Sequence, residues 1–164
     1  MMAEPTCPRC GKDFVRRTMR KGILELVLSA VYVYPFRCQL CTHRFRAMQW
    51  GVRYAKHMVD KRQYERIPVK IRTSFSGGEQ EGTAVVTDLS MGGCGMETER
   101  PFTAGALLEL RLHVTEPAPP IGIEAAVVRA AREKFAGLQF LRLKPEEKTR
   151  LSQLIRELMV SSRR

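Results

Sequence analysis

This chain of 164 residues has no apolar run long enough to cross a bilayer. Its longest such stretch, residues 23–33, is interrupted by Glu25, Ser29 and Tyr32, and it falls far short of the roughly 20 positions that a spanning helix requires. No stable membrane insertion is therefore expected. The first six residues lack the basic-then-apolar order of a secretory signal, which predicts a cytoplasmic protein. No internal repeat or low-complexity tract is present. Neither a Gly-x-Ser-x-Gly elbow nor a phosphate-loop signature occurs, and His57 and His113 stand apart with no evident carboxylate or nucleophile partner in the sequence. No enzymatic activity is expected from such a chain.

Acidic residues are scarce in the first part. Residues 1–66 hold fourteen Lys and Arg against five Asp and Glu, a net of +9, whereas residues 67–164 hold fourteen against twelve, a net of +2. This asymmetry points to an anionic partner for the first part of the chain. The hydrophobic fraction of 44% and charged fraction of 27% are those of a folded soluble domain.

Four of the five cysteines form two Cys-x-x-Cys pairs, Cys7/Cys10 and Cys38/Cys41. Two residues between thiolates allow a tight turn whose N–H groups point at the sulfurs, and Gly11 tolerates the positive φ of such a turn. Two knuckles supply a closed tetrahedral shell, which marks a structural site and not a catalytic one. Structural Zn2+ is the expected occupant; another thiophilic metal and a redox role for the pairs are the alternatives. The 27 residues between Cys10 and Cys38 are a long gap, but loop-closure cost rises slowly with length. Residues 7–48 resemble a zinc ribbon, with strands expected at 13–19 and 43–48 and an inserted helix or strand at 23–33. His43 is not expected to be a ligand, and Cys94 reads as a small buried side chain.

From Arg62 onward the pattern changes to short strands. Ile67, Val69 and Ile71 alternate with a period of two. Strands are expected at residues 67–73, 82–89, 93–97, 107–114, 123–130 and 135–141, with a turn at 76–78 and a stiff Pro-rich loop at 117–120. Six strands at near-regular spacing predict a small antiparallel barrel. Pro145, Glu146 and Glu147 suit the start of a helix, and Leu151, Leu154, Ile155, Leu158 and Met159 give it one apolar face.

Two motifs bracket the first of these strands. Arg62 and Arg66 stand four apart immediately before it, and Asp88-Leu-Ser90-Met-Gly-Gly93 follows about twenty residues later. Arginine can clamp a phosphate bidentately, fork onto guanine O6 and N7, or stack on a purine face. Asp accepts from the guanine N1–H and N2–H₂ edge, and Ser adds a hydroxyl. Arg-x-x-x-Arg followed by Asp-x-Ser-x-x-Gly, then strands and a terminal helix, resembles the PilZ domain over residues 60–161.

That resemblance implies a mainly β fold: a six-stranded antiparallel PilZ-type β-barrel with a C-terminal α-helix, here preceded by a small zinc-ribbon module. The organisation is then a four-cysteine module at residues 5–50, a linker at 51–61 and the barrel with its helix at 62–164. It also implies a receptor for cyclic di-GMP. Arg62 and Arg66 would take phosphate and guanine, Asp88 and Ser90 would read guanine, and Gly93 would leave room. Lys61 bears on whether one messenger or a stacked pair binds. The expected mechanism is ordering of the linker, which signals to an unknown downstream protein. Two alternatives stay open. Arg9, Lys12, Arg16, Arg17, Arg20 and Lys21, with Arg37, Arg44 and Arg46 and the aromatics Phe14, Phe45 and Trp50, suit nucleic-acid binding. A PilZ-type scaffold that does not bind the messenger is the other.

Overall fold

A computed structural model describes residues 5–52, 63–78, 80–114 and 117–162. The chain divides into two compact units, Met1–Glu65 and Arg66–Arg164. Of the expected linker at 51–61, Gly51 and Val52 are described and the rest lies outside the described residues.

The first unit contains β1 (Val15–Arg17), α1 (Gly22–Ala30), β2 (Val33–Cys38) and β3 (Arg44–Met48). They form an antiparallel sheet in the order β1-β2-β3. The apolar run at 23–33 is thus a helix that ends at Ala30, reverses through Tyr32 at φ 60, and feeds a strand. The central strand β2 was not expected from the sequence, because Pro35 sits in it and proline is confined in general to edges. Here the Pro35 carbonyl accepts from the Thr18 N–H at 2.9 Å. Its missing donor faces the same side, just past the end of β1, so no ladder bond is lost.

α1 is built inside out. Its one buried residue is Glu25, whose carboxylate accepts from Arg44 at 2.6 and 2.7 Å and from the Lys21 backbone N–H at 2.6 Å. The Arg46 guanidinium lies 3.4 Å away. The hydrogen bonds from Arg44 hold the Glu25 carboxyl below its ordinary pKa, outweighing the opposing effect of burial. A lowered carboxylate pKa stabilises the fold fully above the ordinary glutamate value, and that stability is lost as the pH falls through the folded value. We therefore expect the amides of α1 to lose hydrogen-exchange protection in acid, and Glu25→Gln to flatten that dependence while weakening the helix at neutral pH.

The second unit is a closed barrel of β4 (Ile67–Gly77), β5 (Gln80–Ser90), β6 (Gly93–Glu97), β7 (Leu107–His113), β8 (Ile121–Arg132) and β9 (Phe135–Arg142). The strand order is β4-β5-β6-β9-β8-β7, with β7 returning to β4. All six expected strands are present. β4 and β5 run further toward each other than the pattern suggested, so the turn is tighter than residues 76–78: both Ser76 and Gly77 remain in the ladder, opposite Glu81 and Gln80. Alternate residues fill the interior, with Val86, Leu89, Met96, Leu110, Leu112, Ile123, Val128 and Leu138 all essentially inaccessible. The link from β6 to β7 buries Phe102, which meets Phe75 edge-on at 4.9 Å.

α2 (Pro145–Ser162) buries Leu151, Ile155 and Met159 and packs on β8 and β4. Leu154 and Leu158, expected on the same face, are half-buried. Glu147 fastens the first turn, accepting from the Gly122 N–H at 3.1 Å and from Arg150 at 3.0 Å. Among the described residues no helix is long and apolar enough to cross a membrane.

Candidate functional site

The Asp-x-Ser-x-x-Gly motif is a β-hairpin. Ser90 on β5 pairs with Gly93 on β6, leaving Met91 and Gly92 as a two-residue turn, and Asp88 stands opposite Gly95. A register shift between Val86 and Asp88 changes which side chains face inward. Leu89 therefore enters the core, while Asp88 stays about a quarter exposed. The Ser90 hydroxyl braces the turn: it donates to the Gly93 carbonyl at 3.1 Å and accepts from the Gly92 N–H at 3.3 Å. Gly93 must be glycine, since a Cβ there would run into the Leu138 carbonyl oxygen on β9.

Arg66, the residue before β4, reaches across to this hairpin and pairs with Asp88 at 2.9 Å. The same Asp88 oxygen accepts from the Gly95 N–H at 3.2 Å. One carboxylate thus holds a guanidinium at the barrel entry, with both side chains about a quarter exposed. Of the expected ligand set, Arg66, Asp88, Ser90 and Gly93 are brought together here. Arg62 lies outside the described residues.

Gly95 was not singled out from the sequence. A Cβ at this position would collide with the Asp88 carboxylate, so its bare backbone creates the space in which Asp88 sits. The signal was present in the Gly93-Cys-Gly95 spacing but has no meaning until the hairpin register is known. Gly95→Ala is expected to lower barrel stability by about 1–3 kcal/mol and to displace Asp88 from Arg66. Gly122→Ala is the control, because a Cβ there meets nothing within 4 Å; thermal denaturation of the two variants tests this. Between the glycines, Cys94 is fully buried as expected, and burial, helped by the nearby Asp88, pushes its thiol up to about 12.

In the first unit the four motif cysteines converge. The Sγ atoms of Cys7, Cys10, Cys38 and Cys41 all lie within 4.8 Å of one another. The two knuckles repeat one geometry. The Cys7 N–H donates to the Lys12 carbonyl and the Cys38 N–H to the His43 carbonyl, both at 2.9 Å. Each knuckle is followed by a left-handed residue, Gly11 at φ 67 and Thr42 at φ 65. The Cys41 N–H points at the Cys38 sulfur at 3.4 Å. His43 serves through its backbone, its ring stacking on Phe45 at 6.2 Å between centroids. Four sulfurs at this spacing, with inward N–H donors, fit a tetrahedral thiophilic ion. Without one, burial pushes the Cys38 thiol up to about 12.

The second knuckle also grips the residues between the two motif arginines. Gln39, buried beside Cys38, accepts from the Glu65 N–H at 2.7 Å and donates to the Gln63 carbonyl at 3.4 Å. Arg37 donates to the Tyr64 hydroxyl at 3.1 Å and lies over its ring. Neither Gln39 nor Tyr64 carried a sequence signal, since the bonds of Gln39 to Gln63 and Glu65 and of Tyr64 to Arg37 span 24, 26 and 27 positions of chain.

The aromatics expected to stack on bases divide three ways. Phe14 is buried, Phe45 lies between Phe36 and His43, and Trp50 is exposed against Tyr32.

Comparison with known proteins agrees with the barrel. The inhibitor of motility MotI/DgrA of Bacillus subtilis has a similar structure, with a TM-score of 0.56 at 18% identity, covering 80% of this chain and 75% of that one. The K. pneumonia MrkH–c-di-GMP complex gives 0.53 at 16% identity, covering 92% of this chain and 79% of that one. These likenesses show the fold. No curated protein sequence matches significantly. Residues 60–157, more than half of the chain, match the PilZ domain, and the chain belongs to the PilZ domain family.

Proposed function

We propose that this protein is a non-catalytic receptor for cyclic di-GMP. The observation that carries the reading is the Arg66–Asp88 pair on the Ser90-braced hairpin of a PilZ-family barrel. In the ligand-free protein Asp88 holds the Arg66 fork. A phosphate or guanine competes for that fork, and the released carboxylate then accepts from a guanine N1–H and N2–H₂ edge. Arg62 adds the second guanidinium. Ser90 keeps one lone pair beyond its two turn bonds, and Gly93 lets the hairpin close against the Leu138 carbonyl of β9. MrkH, whose structure is similar, was solved with the same messenger.

The proposed output is ordering of the segment before β4. Its support is that Gln63, Tyr64 and Glu65 are fastened to the second knuckle by Gln39 and Arg37, so a ligand on Arg62 and Arg66 engages both ends of an anchored stretch. The signal then passes to a downstream protein. Structural zinc on Cys7, Cys10, Cys38 and Cys41 holds that anchor. Nucleic-acid binding through the module has less support, because of its three stacking aromatics Phe14 is buried and Phe45 already stacks with Phe36 and His43.

Isothermal titration of the full chain with cyclic di-GMP, with GTP as control, tests the receptor reading. Saturable binding in the micromolar range or tighter, at one or two ligands per chain, is the expected result; no heat from folded protein overturns it. Hydrogen exchange over residues 50–66, with and without ligand, tests the output. Tight binding that leaves this protection unchanged refutes linker ordering.

A further inference from the structure

Nine large hydrophobic side chains among the described residues are more than half exposed, and seven of them lie between positions 23 and 50. Four are on α1, where Ile23, Leu24, Leu26 and Val27 are 80, 60, 55 and 62% exposed. The helix turns its carboxylate inward and its aliphatics outward, the reverse of a soluble surface helix. Arg44 and Arg46 hold it that way through Glu25. Val31, Met48 and Trp50 continue the exposed set beyond its C-terminal end, with Trp50 against Tyr32 at 4.9 Å. Ordinary monomers keep contiguous apolar patches to a few hundred Å².

We propose that this face docks the protein on an anionic lipid surface, with the aliphatics of α1 in the acyl boundary and the arginines and lysines of the module toward the headgroups. Charge selects this occupant. Residues 5–52 carry nine Lys and Arg against two acids, and one of those acids is the buried, arginine-paired Glu25. Two copies meeting through this face would bring like charges together, whereas an anionic leaflet attracts them. Lys21 is exposed at the start of the helix, and Arg46 beneath it is about half exposed. Trp50 and Tyr32 supply the amphipathic rings favoured at headgroup depth. Nucleic acid has no use for four exposed aliphatics. At nine residues, α1 lies on a membrane and does not span it.

The test uses the zinc-supplemented full chain and phosphatidylcholine vesicles with or without about 30% phosphatidylglycerol. Trp50 is the one tryptophan, so its emission reports docking directly. Binding to the anionic vesicles is expected to be at least about tenfold tighter than to the neutral ones, weakened by salt, and accompanied by a blue shift. The double variant Leu24→Gln, Val27→Gln, altered only at exposed positions, should lose roughly tenfold or more in vesicle affinity with an unchanged circular dichroism spectrum. Its titration with cyclic di-GMP should also be unchanged, which separates failure here from failure of the receptor reading. Absence of vesicle binding overturns the proposal, as does vesicle binding that the double variant retains in full. So does a concentration-dependent dimer, abolished in that variant, in place of lipid binding.

Discussion

Arg66→Ala is expected to reduce cyclic di-GMP affinity by two orders of magnitude or more. Removing one partner of a desolvated, charge-assisted contact costs about 2–5 kcal/mol, and Asp88 already orients the Arg66 guanidinium at 2.9 Å. Arg66→Lys keeps the charge but not the planar fork, so it should recover only a small part of the loss. Asp88→Asn should lose less than Arg66→Ala. It forfeits the ionised acceptor for guanine, yet it also frees Arg66 from competition and retains an oxygen for the Gly95 N–H. Titration calorimetry of the three variants gives the ranking. Equal affinity in Arg66→Ala and the parent would remove Arg66 from the site. A loss confined to Asp88→Asn would mean that Asp88 meets the ligand without help from Arg66.

Removing the metal is expected to unfold the first unit and leave the barrel intact. A sheet of three strands and one short helix, whose helix buries a glutamate instead of its leucines, has too little apolar core to offset chain entropy. Structural zinc contributes on the order of 10–16 kcal/mol of apparent binding energy in small four-ligand sites, more than enough to decide whether such a unit folds. The barrel has a closed sheet and a core of its own. One zinc per chain is expected by elemental analysis, absent from Cys38→Ser. In that variant, or after chelation, amides of β2 should exchange freely while those of β5 and β8 remain protected. Persistent protection of Val33–Cys38 in metal-free protein would show that the sulfurs are not what holds the unit together.

The two predictions draw differently on the sequence. The knuckles were legible because each cysteine pair is local: the spacing, Gly11 and the turn need only a few adjacent residues. The barrel strands were legible for the same reason, through period-two alternation along each strand. β2 was not, because Pro35 is disfavoured in a central strand unless its missing N–H faces the end of a neighbour, a fact about β1 and not about β2. Gly95 was passed over because the collision that requires glycine there involves Asp88, brought opposite by a hairpin whose bulge shifts the register.

The sequence by itself determined the division into a basic cysteine-bearing part and a β-rich part, the six barrel strands with their terminal helix, and the residue types of both motifs. These are consequences of local periodicity and short spacing. Only the tertiary structure decided that Asp88 holds Arg66, that Ser90 spends two of its hydrogen bonds on its own turn, that Gln39 grips the stretch between the arginines, and that α1 faces its aliphatics outward. Each depends on atoms far apart in the chain. The outward face of α1 shows the difference most directly: the apolar run was plain in the sequence, but its orientation follows from Glu25 meeting Arg44 and Arg46 across nineteen and more residues, where a buried carboxylate needs its cations more than the leucines need a core.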